Sequence, residues 1–226
     1  MDTLRSHVSL VFDKGLYTKD PMSSAIGQEI IRQSVEMIAD KGLDQFTFKK
    51  LAQQLPSTES TIYRYFQNKH QLATYLASYH WSQMEWRLAF ATANIDQDIL
   101  RFEKALRELC RWVEDDIESS HINEAKLQRM VITSGFTTFL PLELNKSEKM
   151  AYTSSYMHLL KRMSLILQKS HRYCKHPEAL ATAIIESVHH QMYLQLHTPH
   201  LTDVTSKEQQ LYSFIHQIFT PQSHKK

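Results

Sequence analysis

The sequence predicts an all-α protein: a small N-terminal three-helix unit followed by a larger helical bundle. Two observations carry this. Apolar residues recur at steps of three and four through most of the chain. The 226 residues also include only 4 Gly and 6 Pro, too few for the tight turns of a barrel or sandwich. The same scarcity leaves no Gly-rich phosphate loop. A hydrophobic fraction of 42% excludes a disordered chain. No run approaches about 20 apolar residues, so no membrane span is expected. The opening Met1-Asp2-Thr3-Leu4-Arg5 lacks the pattern of a secretory leader. Two cysteines, Cys110 and Cys174, cannot build a disulfide framework, and a cytoplasmic location is expected.

Residues 1–22 read as an appendage, disordered or partly helical, because Asp20-Pro21 breaks any helix running on. The first clear helix opens at Ser23 or Ser24. It carries Ile30, Ile31, Val35 and Ile38 and ends at Asp40-Lys41-Gly42, where Gly42 suits a left-handed position. Thr47 caps a short second helix with the stripe Phe48, Leu51, Ala52 and Leu55. Pro56 stops it. Ser57 or Thr58 caps a third, which buries Ile62 and Phe66. Two short helices joined by a tight turn and preceded by a longer one form a helix-turn-helix.

The segments then lengthen. One helix runs from Lys69 to about Ala93, and another from Asp96 or Asp98 through Trp112 and Ile117. A shorter one spans Asn123 to Ser134, and Pro141 marks a loop. Ser147 caps a long helix, and Pro177 opens the next. That one ends at Pro199, and a last helix runs from Thr205 or Ser206 to Pro221. The expected domains are an extension over 1–22, a helix-turn-helix unit over 23–72 and a helical body over 73–226.

The formal net charge of +2 conceals a regional pattern. Residues 1–46 carry an excess of acid. Residues 47–70 carry Lys49, Lys50, Arg64 and Lys69 against Glu59 alone. The remaining chain is nearly balanced.

The segment Phe46-Thr47-Phe48-Lys49-Lys50-Leu51-Ala52, followed by Ser60-Thr61-Ile62-Tyr63-Arg64-Tyr65-Phe66-Gln67-Asn68-Lys69, resembles the DNA-binding domain of TetR/AcrR-type transcriptional regulators. The resemblance covers about residues 24–72. It departs from the family pattern at the turn, where Pro56, Ser57 and Ser60 replace the usual Gly, Val and Gly. It implies a homeodomain-like fold, an α-helix in the major groove of double-stranded operator DNA, and no cofactor.

Thr58, Glu59, Ser60, Thr61, Tyr63 and Arg64 are the expected DNA-facing residues of the third helix, with Ser57 before it and Tyr65 after it. Thr47, Phe48 and Lys49 are expected to contact DNA from the second helix. By resemblance, Thr47, Tyr63 and Lys69 grip the phosphate backbone. Arg64 suits guanine or phosphate, and Glu59 a cytosine amino group.

The resemblance also implies that the body binds a small hydrophobic or aromatic effector and forms a homodimer. Tyr79, Trp86, Trp112, Met130, Phe136 and Tyr156 are the candidate effector residues. Ile184, Ile185, Val188 and Met192 of the penultimate helix, with Leu211, Phe214, Ile215 and Ile218 of the last, are the candidate dimer face. Such a dimer places its recognition helices about 34–36 Å apart, or somewhat wider, and reads a palindrome. The expected function is a ligand-responsive repressor. The alternative is a helical binding module that keeps the fold without reading DNA, motivated by Pro56, Glu59 and the modest charge.

His171 and His176 flank Cys174, but no spacing repeats a zinc pattern, and no metal site is assigned. No paired carboxylates, triad or nucleotide loop stands in a credible order, and no enzyme is expected.

Overall fold

The structure, a computed structural model, describes residues 14–114, 122–138, 146–171, 174–204 and 208–219. Among these residues there is no strand. The helices are α1 (Ala25–Gln45), α2 (Phe48–Ala52), α3 (Glu59–Tyr63), α4 (Lys69–Ala91), α5 (Asp98–Leu109), α6 (Glu124–Thr138), α7 (Lys146–Ser170), α8 (Pro177–His197) and α9 (Glu208–Phe219). None of them is long and apolar enough to cross a membrane. The chain forms two compact units: Met1–Ser82 with Val113–Tyr156, and Gln83–Trp112 with Met157–Lys226. Both α4 and α7 therefore contribute to each unit.

In the first unit, Ser24 caps α1 by accepting a hydrogen bond from the Gly27 amide at 3.3 Å. Ile30, Ile31, Val35 and Ile38 face inward. At Gly42 the backbone turns to φ +77°, ψ 161°, a conformation open to glycine at no steric cost. The turn sends Leu43 and Phe46 back into the core, as the apolar spacing implied. Thr47 then caps α2, its hydroxyl accepting from the Lys50 amide at 3.2 Å.

The α2–α3 connection runs from Gln53 to Thr58. No residue in it has a positive φ, so the turn accommodates Pro56 and needs no left-handed residue. α1 also packs along α6, where Lys126 pairs with Glu36 and its ammonium lies 4.0 Å from Asp40. Further on, Trp81 is buried edge-to-face on Tyr156 with ring centres 4.9 Å apart.

Within the segment read as an appendage, disordered or partly helical, over residues 1–22, the described residues 14–22 are packed onto the helix-turn-helix unit. Short 3₁₀ turns form at Lys14–Leu16 and Pro21–Ser23, and Leu16 and Pro21 are buried. The Thr18 amide donates to the Tyr65 carbonyl at 2.8 Å. Tyr17 meets Tyr75 edge-to-face, and the Gln71 side chain donates to the Gly15 carbonyl at 3.2 Å. Gly27 permits the closest approach: a Cβ there would overlap the Pro21 backbone. Leu10-Val11-Phe12, also read as appendage, lie outside the described residues.

In the second unit α9 packs against α5 and α8. α5 buries Phe102, Ala105, Leu106 and Leu109. It ends at Leu109, earlier than the expected Trp112, and the chain beyond Cys110 runs without helix through residue 114. Ile117 lies outside the described residues. The Arg107 guanidinium sits over the Tyr212 ring at 3.9 Å and donates to Gln209 at 3.0 Å. Pro177 occupies the first turn of α8, as expected. Pro141, Thr205, Ser206 and Pro221 lie outside the described residues, as does the Ser147 side chain.

Two stability tests follow from this packing. Gly27→Ala forces α1 away from Pro21 and should lower stability by about 1–3 kcal/mol in urea unfolding. Burial also pushes the His189 imidazole of α8 down to about 4 from its ordinary 6.5. The unfolded chain takes up this proton as pH falls through 6.5, but the folded chain does so only near 4. Stability is therefore full above pH 6.5 and declines between 6.5 and about 4. Burial lowers His171 as well and adds in the same direction. His189→Gln should flatten that slope in melts across pH 4–7.

Candidate nucleic-acid interface

The recognition segment has one buried side and one open side. Ile62 and Phe66 are fully buried, four residues apart on the inner side of α3 and the turn after it. Thr58 and Ser60 are exposed, and Thr61 is half-buried. The Thr58 hydroxyl lies 2.8 Å from that of Ser60 and 3.3 Å from that of Thr61. Arg64 is exposed and donates to the Thr61 hydroxyl at 3.2 Å. Glu59 and Ser57 are half-buried at the start of the helix. Tyr63 is 50% exposed. Its ring meets Phe48 edge-to-face at 5.1 Å, which braces the aromatic body on α2.

Two of the twelve expected contact residues belong to the interior. Phe48 is buried between Phe46 and Tyr63. Tyr65 is buried too, its hydroxyl 2.8 Å from that of Ser24, with the Lys19 ammonium 5.1 Å from the centre of its ring. Both side chains pack the module together instead of facing outward. Tyr65 stands three residues after Ile62, on the same inward side of the chain.

The cations differ in what they have left to offer. Lys49 is exposed and makes no ion pair or hydrogen bond among the described residues. The Lys50 ammonium donates to the Gln45 carbonyl at 2.8 Å. Lys69 donates to the Leu43 carbonyl at 3.0 Å and reaches Asp44 at 3.5 Å. It thus ties the start of α4 to the end of α1. Thr47 is exposed, and its oxygen is committed to the cap.

The effector candidates are divided between the two units. Met130 and Tyr156 are buried in the first unit, where Tyr79 is half-buried. Trp86 and Trp112 belong to the second unit, and Trp86 stacks on the exposed Phe90 with ring centres 5.8 Å apart. The Phe136 side chain lies outside the described residues.

The second unit also holds an open cleft of about 560 Å³, with walls from α4, α7 and Arg101 of α5. The expected aromatic residues do not mark it, because no Trp, Tyr or Phe lines it. The available signal was the recurrence of His158, Lys161, Leu165 and Lys169 along α7.

The expected dimer face needs a comparable correction. Ile184, Ile185, Val188 and Met192 on α8, with Leu211 and Ile215 on α9, are buried within the chain itself. Phe214 is half-buried, while Ile218 is 53% exposed. Tyr193 and Leu196 are the other exposed large apolar residues on these two helices. Among the described residues no group of three or more His, Cys, Asp and Glu is placed to hold a metal. His171 is instead stacked edge-to-face on Phe102 and bonded to Ser170.

A capped long helix, then a capped five-residue helix joined by a six-residue turn to a short helix with an outward polar side, define a homeodomain-like helix-turn-helix module, with a body that has no strand among the described residues. Residues 30–76 match the family model for bacterial regulatory proteins of the tetR family, and the N-terminal domain of this chain is a tetR-family domain. No curated protein sequence matches the chain.

Solved structures share the fold at low identity. AibR, crystallised with isovaleryl coenzyme A and operator DNA, is 15% identical with a TM-score of 0.61, over 86% of this chain and 100% of AibR. The fatty acid degradation regulator FadR from Bacillus halodurans is 15% identical with a TM-score of 0.63, over 88% and 96%. A tetR-family regulatory protein from Rhodococcus RHA1 is 13% identical with a TM-score of 0.65, over 87% and 96%.

The cap at Thr47 provides a local test. Thr47→Ala should cost about 1 kcal/mol in urea unfolding, with a shift in midpoint and no change in slope.

Proposed function

We propose that this chain is a homodimeric, ligand-responsive regulator of transcription that represses by holding a palindromic operator and releases it when a small effector binds. One observation carries the reading: Ser60, Thr61, Tyr63 and Arg64 present a polar, partly aromatic surface on a short helix anchored from beneath by Ile62 and Phe66. Such a helix fits the major groove of B-DNA. Arg64 is the candidate for guanine or phosphate, and Tyr63 with Lys49 for the backbone. Lys69 acts chiefly by holding α4 against the end of α1, with donor capacity left for a phosphate.

The tetR-family match supports DNA binding. AibR, which shares the fold and was crystallised with both an acyl coenzyme A and operator DNA, supports an effector-controlled mode. Two-fold pairing would use the exposed Tyr193, Leu196 and Ile218 of α8 and α9, laid over the buried apolar layer beneath. An effector controls DNA release only through its different affinity for the two states.

Selection of bound fragments from random genomic DNA tests the reading, and an enriched palindrome is expected. Arg64→Ala and Tyr63→Ala should each weaken binding to it by at least about tenfold while the dimer persists on size exclusion. Affinity should fall steeply with salt. Absence of any enriched sequence would leave a helical binding module that keeps the fold without reading DNA.

A further inference from the structure

We propose that the open cleft of the second unit binds a small anionic amphiphile, a phosphate or carboxylate headgroup on a short apolar tail. The inference rests on the reading that an effector controls this chain, and it names that effector's chemical class and place.

The cleft, at about 560 Å³, lies within the usual range of ligand sites, roughly 300–1,000 Å³. Its cations are not equivalent. Arg162 is committed to Glu85, its Nε donating at 2.6 Å. Glu85 is also the only acid lining the cleft among the described residues. Arg101 is held by Asp98 at 3.4 Å and by the Ile95 carbonyl. His158, Lys161 and Lys169 have no hydrogen bond or ion pair with any described residue. Three potential cations therefore face the cleft while its one carboxylate is already neutralised.

Helical spacing orders these groups. His158 and Lys161 are three residues apart and meet on one face of α7. Lys169 follows two turns later, with Leu165 midway between the lysines. Leu165 is half-exposed, and with Ala89 and Ala93 of the α4 side it gives the cleft an apolar wall.

A wholly apolar ligand would desolvate the lysines without pairing them. A cationic ligand would meet like charge. An anion with a short tail satisfies both the charge and the wall. The Thr92 hydroxyl adds no donor, because it donates to the Leu88 carbonyl at 2.7 Å.

Isothermal titration calorimetry of the full chain with hexyl phosphate, hexanoate, inorganic phosphate and hexyltrimethylammonium tests this. One or both hexyl anions should bind at one per chain, and which one binds tells phosphate from carboxylate. Inorganic phosphate should bind at least about tenfold more weakly for want of a tail. The ammonium should not bind.

The double substitution Lys161→Gln with Lys169→Gln should weaken the preferred anion by at least about tenfold. Leu165→Gln should weaken the hexyl anions and leave inorganic phosphate unchanged. All three side chains are exposed, and unchanged circular-dichroism melts would show that the variants fold.

The proposal is overturned if neither hexyl anion binds, if the double variant binds them equally well, or if the ammonium binds as strongly. Displacement of the bound anion by random duplex DNA would assign the cleft to a nucleic-acid backbone and also end it. None of these readings requires an operator. A failed genomic selection with intact anion binding would therefore remove the regulator reading and leave the site.

Discussion

A helix of five residues does not hold its own shape in water, because forming the first turn costs more than its few hydrogen bonds return. α3, from Glu59 to Tyr63, is such a helix. Its conformation is imposed from beneath by Ile62 and Phe66 and from the side by α2. Tyr65 extends this support to the N-terminal segment, through its hydroxyl to Ser24 and its carbonyl to the Thr18 amide. The outward groups keep their places only while this underside stays packed. Whatever α3 recognises is therefore set as much by buried aromatics as by the residues that face outward.

The fold was legible where physics is local. Thr47, Ser24, Gly42 and Pro177 act on neighbours a few residues away, and each stands where its cap or turn chemistry implied. Elsewhere the relevant partner was distant. Tyr65 pairs with Ser24 across 41 residues, and no periodicity announces such a bond. Residues 14–24 have no helical repeat to read, yet Leu16 and Pro21 are buried.

The body was harder for a different reason. An apolar stripe marks burial without saying what covers it. The α8 and α9 stripes are largely covered by this same chain, so six of the eight residues marked for pairing are interior. Concavity is also invisible in a repeat: the α4–α7 cleft mixes five lysine, arginine and histidine side chains with alanine, leucine and isoleucine, and no Trp, Tyr or Phe marks it.

Within the first unit, α1 serves two neighbours at once. One side frames α2, and another packs along α6, where Lys126 reaches Glu36. Packed interiors transmit displacement because they have little free volume to absorb it. A movement of α6 is therefore felt in the framework that carries the recognition helix. Lys69 adds a second tie, from the first turn of α4 to the carbonyls that close α1.

The turn at Pro56 has a consequence for the unfolded chain. A glycine at that place would be free to explore both halves of φ space before folding, and that freedom would be lost on closing the turn. Proline has most of its φ freedom removed by its ring beforehand. The ordering cost at that position is correspondingly smaller, by roughly 1 kcal/mol where the native φ already suits the ring. In this chain the angle between the two short helices is thus partly decided by covalent chemistry, before any tertiary contact has formed.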